Sequence, residues 1–445
     1  MKFIDTIKNI WKIEELKSRI GLTLLLLLVY RFGAQVVLPG VDAAELANLG
    51  TQTQDGLLGL LNAFTGGAFA NASVFALGIM PYISASIVVQ LMGIAIPYLQ
   101  KLQKEGESGR KKINQITRWL TIAITLVQGP GYIYNLFATL PPGAFVLENQ
   151  TVFVVSSVII LTTGCIFAMW LGEKITDKGI GNGISLLIMV GIIATLPQSF
   201  VQNFISRTSG EGGDIIMVLI ELVIWFVIIL ASVLLVMAVR QIPVQYARRT
   251  AGGGYEKNIF GSRQYIPLKL NASGVMPIIF AQAIMFIPAA VAGLSNSETS
   301  QGIAAAFSDI FGFWYNLVFA LLIIVFTYFY TAITVPTNKM ADDLKRSGGF
   351  IPGIRPGSET AEYLDKIMSQ ITLPGSIFLA LVAIFPAIAV KVLGVQQGWA
   401  LFFGGTSLLI MVGVAIDTMQ QVNSYLLNRH YDGLMKTGKN RKAVA

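Results

Sequence analysis

The sequence predicts an all-α polytopic membrane protein of ten transmembrane helices, built as two inverted five-helix halves with a re-entrant half-helix. Three observations carry this. Of the 445 residues, 54% are hydrophobic and only 13% charged, and the mean hydropathy is +0.66, far too apolar for a soluble domain of this size. Ten apolar runs each approach the roughly 20 residues that a helix needs to cross the hydrocarbon core. A ten-residue segment at 76–85 recurs at 272–281, an offset of 196.

The runs lie at 20–38, 73–96, 117–138, 150–171, 183–205, 214–238, 271–293, 313–335, 371–393 and 399–422. Ahead of the first comes a charged stretch with Phe3, Ile4, Ile7 and Trp11 and no small-residue cleavage site, so that run reads as a retained helix rather than a signal peptide. Lys and Arg alternate with the loops. Five precede the first run, six follow the second, two the fourth, six the sixth, five the eighth, and five lie in the tail at 423–445, together 29 of 32. Only Arg31, Arg207 and Lys391 remain for the other side, where Asp42, Glu45, Asp55, Glu148, Glu211, Asp214, Glu298 and Asp309 collect. The positive-inside rule then puts both termini in the cytoplasm.

ALGIMPYISA at 76–85 and ASGVMPIIFA at 272–281 agree at six of ten positions. In this topology the two copies run through the membrane in opposite directions. Halves at 1–209 and 210–445 would then be inverted repeats, a layout that places a pathway at their interface; a chance match of two apolar segments is the alternative. Between the first two runs, the segment GLLGLLNAFTGGAFA at 56–70 is apolar enough to enter a bilayer but too short and Gly-broken to cross it. It reads as a re-entrant half-helix beside a cavity, or as an interfacial helix lying on the surface.

Arg31, Glu221 and Asp417 are ionisable residues in or near the runs, and a charge at the bilayer centre costs at least ~3 kcal/mol. Arg31 and Glu221 lie near run ends, within snorkelling reach of water, and Asp417 lies close to its exit, so all three read as structural. The single Cys165, inside an apolar run, reads as packing, and the single His430 as solvated. GLMKTGK at 433–439 imitates a phosphate-binding loop, but Asn440 stands where Ser or Thr should hold magnesium and no strand precedes it. The loops at about 240–270 and 336–370 are long for a compact membrane protein. Basic as they are, they suit an acidic partner. A secondary transporter with inverted repeats is disfavoured by the sparse buried charge, and a membrane-embedded enzyme by the want of a metal cluster, a nucleophile and base, or paired carboxylates. No cofactor or metal is expected.

Six motifs carry a resemblance to a known family: FALGIMPYISASIVVQL at 75–91, KEGESGRKKI at 104–113, GIGNGISL at 179–186, IPVQYARR at 242–249, GFIPGIRPG at 349–357 and FGGTSLLI at 403–410. In this order and at these spacings the chain resembles the SecY family, pore subunits of the bacterial protein translocase. The resemblance covers nearly the whole chain. It implies a multi-pass protein of the bacterial cytoplasmic membrane, a channel that passes unfolded secretory polypeptides and releases hydrophobic segments sideways into lipid. By the same resemblance the pore ring is Ile79, Ile83, Ile184, Ile188, Ile279 and Ile410. The plug, at about 57–71, contains Leu60, Leu61, Asn62, Phe64, Gly66, Gly67 and Phe69. The lateral gate includes Pro81, Ser84, Gln90, Pro277 and Gln282, with Ser84, Gln90 and Gln282 hydrogen-bonding across the closed gate. Arg110, Lys111, Lys112, Arg248, Arg249 and Arg355 would dock a motor or ribosome. Implied partners are the small membrane subunits SecE and SecG, the SecA motor ATPase, the ribosome with its nascent chain, signal sequences and lipid. The chain departs from the family's pattern at Gln241 and at 252–254, where further basic residues are usual.

Overall fold

The computed structural model describes residues 13–42, 46, 56–146, 149–208, 215–246, 263–294 and 309–441. They form fourteen helices, numbered here in chain order, one short 3₁₀ turn and a small sheet. Among the described residues six helices are long and apolar enough to cross a membrane, or seven if one bent pair counts as a single span. Contact clustering separates two compact units, Met1–Ile215 with Val395–Phe402 and Val414–Ala445, and Ile216–Gly394 with Phe403–Gly413.

The first unit contains α1 (Glu14–Gly33), α2 (Gly56–Thr65), α3 (Met80–Ala95), α4 (Pro97–Lys104), α5 (Glu107–Thr139), α6 (Gln150–Lys178) and α7 (Gly183–Thr208). In α1, Leu16, Thr23, Leu26 and Tyr30 are buried at helical spacing while Leu24, Leu25, Leu28 and Phe32 are exposed, a division of core from lipid face. α3 and α4 meet at a bend of 102°. Pro97 forces the preceding Ile96 into extended backbone (φ −100°, ψ 116°). On α5, Thr117, Thr121 and Thr125 are buried and each hydroxyl donates to the carbonyl four residues back, so polar side chains enter a membrane core with their donors satisfied. An apolar cluster of Leu38, Phe69, Ala72, Tyr132, Ile133, Leu136 and Phe153 gathers the segment after α2 onto α5 and α6.

The second unit contains α8 (Ile215–Met237), β1 (Val239–Tyr246), β2 (Arg263–Lys269), α9 (Met276–Leu294), α10 (Phe313–Thr334), α11 (Thr337–Arg346), β3 (Gly349–Phe350) and α12 (Ser358–Leu393). After it, α13 (Gln397–Ala400) belongs to the first unit, and α14 (Gly405–Arg441) contributes residues 405–413 to the second.

The chain is mostly helical, as expected. Local structure differs from expectation in three places. The segments read as long loops contain a three-stranded sheet of order β2-β1-β3. β1 pairs antiparallel with β2, Ile242 facing Ile266, and with β3, Gln245 facing Phe350. Ile242 and Val244 point into a core with Leu268, Leu344, Ile351 and Leu364, the period-two burial of a one-sided strand. The run expected from 73 becomes helical only at Met80, because residues 66–79 are a chain of turns. Conversely, α5 starts at Glu107 and α12 at Ser358, well before their apolar runs. At 33 and 36 residues they are about 50 Å long, more than the hydrocarbon core, so Arg110, Lys111 and Lys112 sit on the first turns of a helix rather than in a loop.

Candidate functional site

The half-helix α2 ends in two left-handed glycines, Gly66 (φ +67°) and Gly67 (φ +88°). Asn62 closes the turn: its carbonyl accepts from the Gly67 N–H at 2.9 Å and its Oδ1 from the Ala70 N–H at 3.0 Å. Gly66 lies against the backbone of Gly191 on α7, where a Cβ at Gly66 would stand 2.7 Å from the Gly191 Cα. No side chain fits at that contact. Beyond the glycines the chain is tied down. Tyr132 donates its hydroxyl to the Phe69 carbonyl at 2.8 Å, the Leu38 N–H donates to the Ala72 carbonyl at 2.8 Å, and Phe69 is buried. Phe64 is buried and Asn62 half-buried, while the side chains of Leu60 and Leu61 lie outside the described residues.

Arg31, read as structural, is half-buried, and its Nη1 donates to the Gly66 carbonyl at 2.8 Å. Glu221, placed near water, is 1% exposed, while Asp417 is exposed. Cys165 is buried in α6.

Of the six isoleucines singled out, Ile79 precedes α3 and Ile83 lies on its first turn; Ile184 and Ile188 sit one turn apart on α7. The start of α7 is set by the GIGNG segment. There the N–H groups of Ile180, Gly181 and Gly183 donate to the Thr23 hydroxyl, Gln421 Oε1 and the Thr176 hydroxyl at 3.1, 2.8 and 2.9 Å. α7 therefore carries Ile184, Ile188 and, one turn further, the Gly191 against which the half-helix packs. Ile279 on α9 and Ile410 on α14 belong to the second unit, Ile279 half-buried and Ile410 2% exposed.

The two copies of the sequence repeat have the same local build. Gly78 (φ +53°) and Gly274 (φ +64°) are both left-handed, and two residues later Met80 and Met276 open helices whose second residues are Pro81 and Pro277. Both prolines are buried and sit where a missing N–H leaves no helix bond unmade. The polar residues nearby find partners within their own units. Gln90 donates to the Ser86 hydroxyl at 3.2 Å, Gln282 to the Tyr315 hydroxyl at 3.1 Å, and Ser84 is half-buried. Tyr315, which sequence reasoning missed, accepts that bond from Gln282; a lone Tyr in an apolar run has no signature of that role.

On the basic side, Arg110 and Lys112 are exposed and Lys111 lies 3.8 Å from Glu107. Arg248 and Arg249 lie outside the described residues. The side chain of Arg355 is 87% exposed, its guanidinium 3.9 Å from Glu359, and its carbonyl accepts from the Thr360 hydroxyl at 2.8 Å. Pairing of β1 with β3 brings the two long basic segments into one sheet.

Comparison with known proteins follows the same lines. A family model, SecY, matches residues 73–419. A protein translocase subunit SecY of Halalkalibacterium halodurans is 42% identical over 439 residues, covering 97% of this chain and 99% of its own. Among solved structures, a SecY whose plug domain stabilises the closed state of the translocation channel superposes with a TM-score of 0.61 at 18% identity, over 92% of each chain. Sec61 from a canine ribosome-channel complex of the endoplasmic reticulum gives 0.55 at 17% identity, again over 92% of each.

Proposed function

The chain belongs to the SecY family of protein translocase subunits, and we propose that it works as the central protein-conducting channel of a bacterial cytoplasmic membrane, with both termini in the cytoplasm. The observation that carries the reading is the half-helix α2, docked backbone to backbone on the helix that bears Ile184 and Ile188. A short apolar helix that neither crosses the membrane nor lies free suits a stopper. Residues 57–71 are the plug, and Ile79, Ile83, Ile184, Ile188, Ile279 and Ile410 form the constriction. An aliphatic ring excludes ions by dewetting, yet its deformable side chains close around a polypeptide of any sequence.

The halves 1–209 and 210–445 act as inverted repeats, supported by the matching Gly–x–Met–Pro starts of α3 and α9. Those two helices form the lateral gate through which hydrophobic signal sequences partition into lipid. SecE and SecG accompany the channel. SecA or a translating ribosome drives the polypeptide from the cytoplasmic side, docking on the basic turns of α5 and on the sheet and turn that present Arg355; a ribosome partner is recorded for the structural neighbour Sec61.

The test is crosslinking from Ile279→Cys, in a Cys165→Ser background, to a stalled and half-secreted polypeptide in membranes. A crosslink that appears only while the chain is in transit is the expected result. No crosslink, together with small-solute uptake by the purified protein, would replace this reading with a transporter.

A further inference from the structure

Arg31 has a use that neither membrane insertion nor helix packing explains. It lies in the last turn of α1, whose C-terminal carbonyls favour a cation. Its neighbour Tyr30 is 1% exposed and stacks on Phe75 with ring centroids 5.5 Å apart, so the guanidinium reaches out from a fixed base. What it meets is not a carboxylate but the carbonyl of Gly66 at 2.8 Å.

Gly66 is the joint between two differently held pieces. After it, Phe69 and Ala72 are locked into the apolar cluster around Tyr132 and Leu136. Before it lies α2, whose C-terminal turn rests against Gly191: a Cβ at that glycine would come within 2.7 Å of the Phe64 carbonyl. The left-handed φ values of Gly66 and Gly67 give the joint rotational freedom that other residues lack. A Cβ at Gly66 would stand 2.5 Å from Arg31 Nη1 as well as 2.7 Å from Gly191, so the joint is gripped from both sides.

We propose that Arg31 is the latch of the plug, a positioning residue whose hydrogen bond to the Gly66 carbonyl holds the glycine joint in the sealed conformation and whose release frees α2 to swing. The inference rests on reading 57–71 as a plug. A carbonyl partner suits a latch better than a carboxylate would. A charge-assisted bond to a carbonyl is strong enough to set a resting state, but parting it leaves no second buried charge behind. The glycine pair is the hinge, and the Asn62 bonds to the Gly67 and Ala70 N–H groups, which span it, part when it turns.

The experiment uses the complete translocase complex in planar bilayers with no translocating polypeptide, in the Cys165→Ser background, and reads resting ion conductance. Labelling of Ala63→Cys by a membrane-impermeant maleimide is the second readout, since Ala63 is 7% exposed in the docked half-helix. Arg31→Met and Arg31→Gln are each expected to raise both readouts by about tenfold or more. Deleting residues 57–65 is expected to raise conductance by itself, and Arg31→Met is then expected to add nothing. Native conductance and labelling in either Arg31 variant overturns the latch. So does an equal increment from Arg31→Met in the deleted background, which would mean that Arg31 acts through general packing. Unchanged conductance on deletion alone overturns the plug reading, and the latch with it.

Discussion

Replacing Ile83 and Ile410 together by asparagine will raise the resting ion leak of the channel by about 100-fold and let it accept defective signal sequences. The magnitude follows from what the proposed ring would do. Fully burying one isoleucine contributes about 1.5–3 kcal/mol, and an amide in the same place either recruits water or stays unpaired at a cost of about 1–3 kcal/mol. Losing roughly 3 kcal/mol from the closed state shifts its population by about two orders of magnitude. Ile410 is 2% exposed, so loss of packing alone must be separated from loss of the seal. Ile410→Ala makes that separation: it leaves a cavity but no polar group, and is expected to lower thermal stability without matching the leak of the asparagine pair. A native leak in the double variant, with the protein inserted and folded, would remove these isoleucines from the constriction.

How far the structure could be read from the residues depends on whether the signal was local. Hydropathy located α6, α7, α8 and α10 to within a few residues at their apolar ends, because there the run and the helix coincide. It placed the starts of α5 and α12 too late, since a helix can continue into water with polar residues and the apolar run stops marking it. The sheet went unseen for a different reason. Ile242 and Val244 alternate with Gln241, Pro243 and Gln245 over a span too short to stand out, and the partner strands that supply Ile266 and Phe350 are distant in sequence.

The plug segment was legible as a misfit, too apolar for a loop and too short for a span, but its anchorage was not. Gly66 against Gly191 is an encounter of two residues without side chains, and Arg31 bonds to a main-chain carbonyl, which any residue at position 66 would supply. Equally, nothing local distinguishes a Gln282 that bonds to Tyr315 from one that bonds across a gate. The Gly–x–Met–Pro repeat, by contrast, was readable because the same backbone turn needs the same glycine twice.

Arg355→Glu is the second change with a large expected effect, and its force lies in how little it should do to the fold. The guanidinium is 87% exposed and its pairing with Glu359, at 3.9 Å, is an exposed i,i+4 contact, the kind that contributes about 0–1 kcal/mol. What builds the turn is main chain and buried side chain: the Thr360 hydroxyl on the Arg355 carbonyl, the pairing of Phe350 with Gln245, and Ile351 in the core under the sheet. None of these involves the guanidinium, so thermal stability should change by no more than about 0.5 kcal/mol. An arginine held out on a rigid turn is what an interface uses as an anchor, where truncation alone removes about 2–4 kcal/mol. Reversing the charge adds repulsion from whatever acidic or phosphate group it met. Translocation driven by SecA, or by a translating ribosome, is therefore expected to fall by about 100-fold or more in this variant. Lys366→Glu, a reversal at an exposed site on α12, is the control and should cost far less. Measuring the two driving partners separately assigns the residue: a loss confined to one makes Arg355 that partner's contact, a loss in both makes it a shared one. Normal secretion from a stable Arg355→Glu protein would take the docking role away from this turn and leave it to the basic first turns of α5.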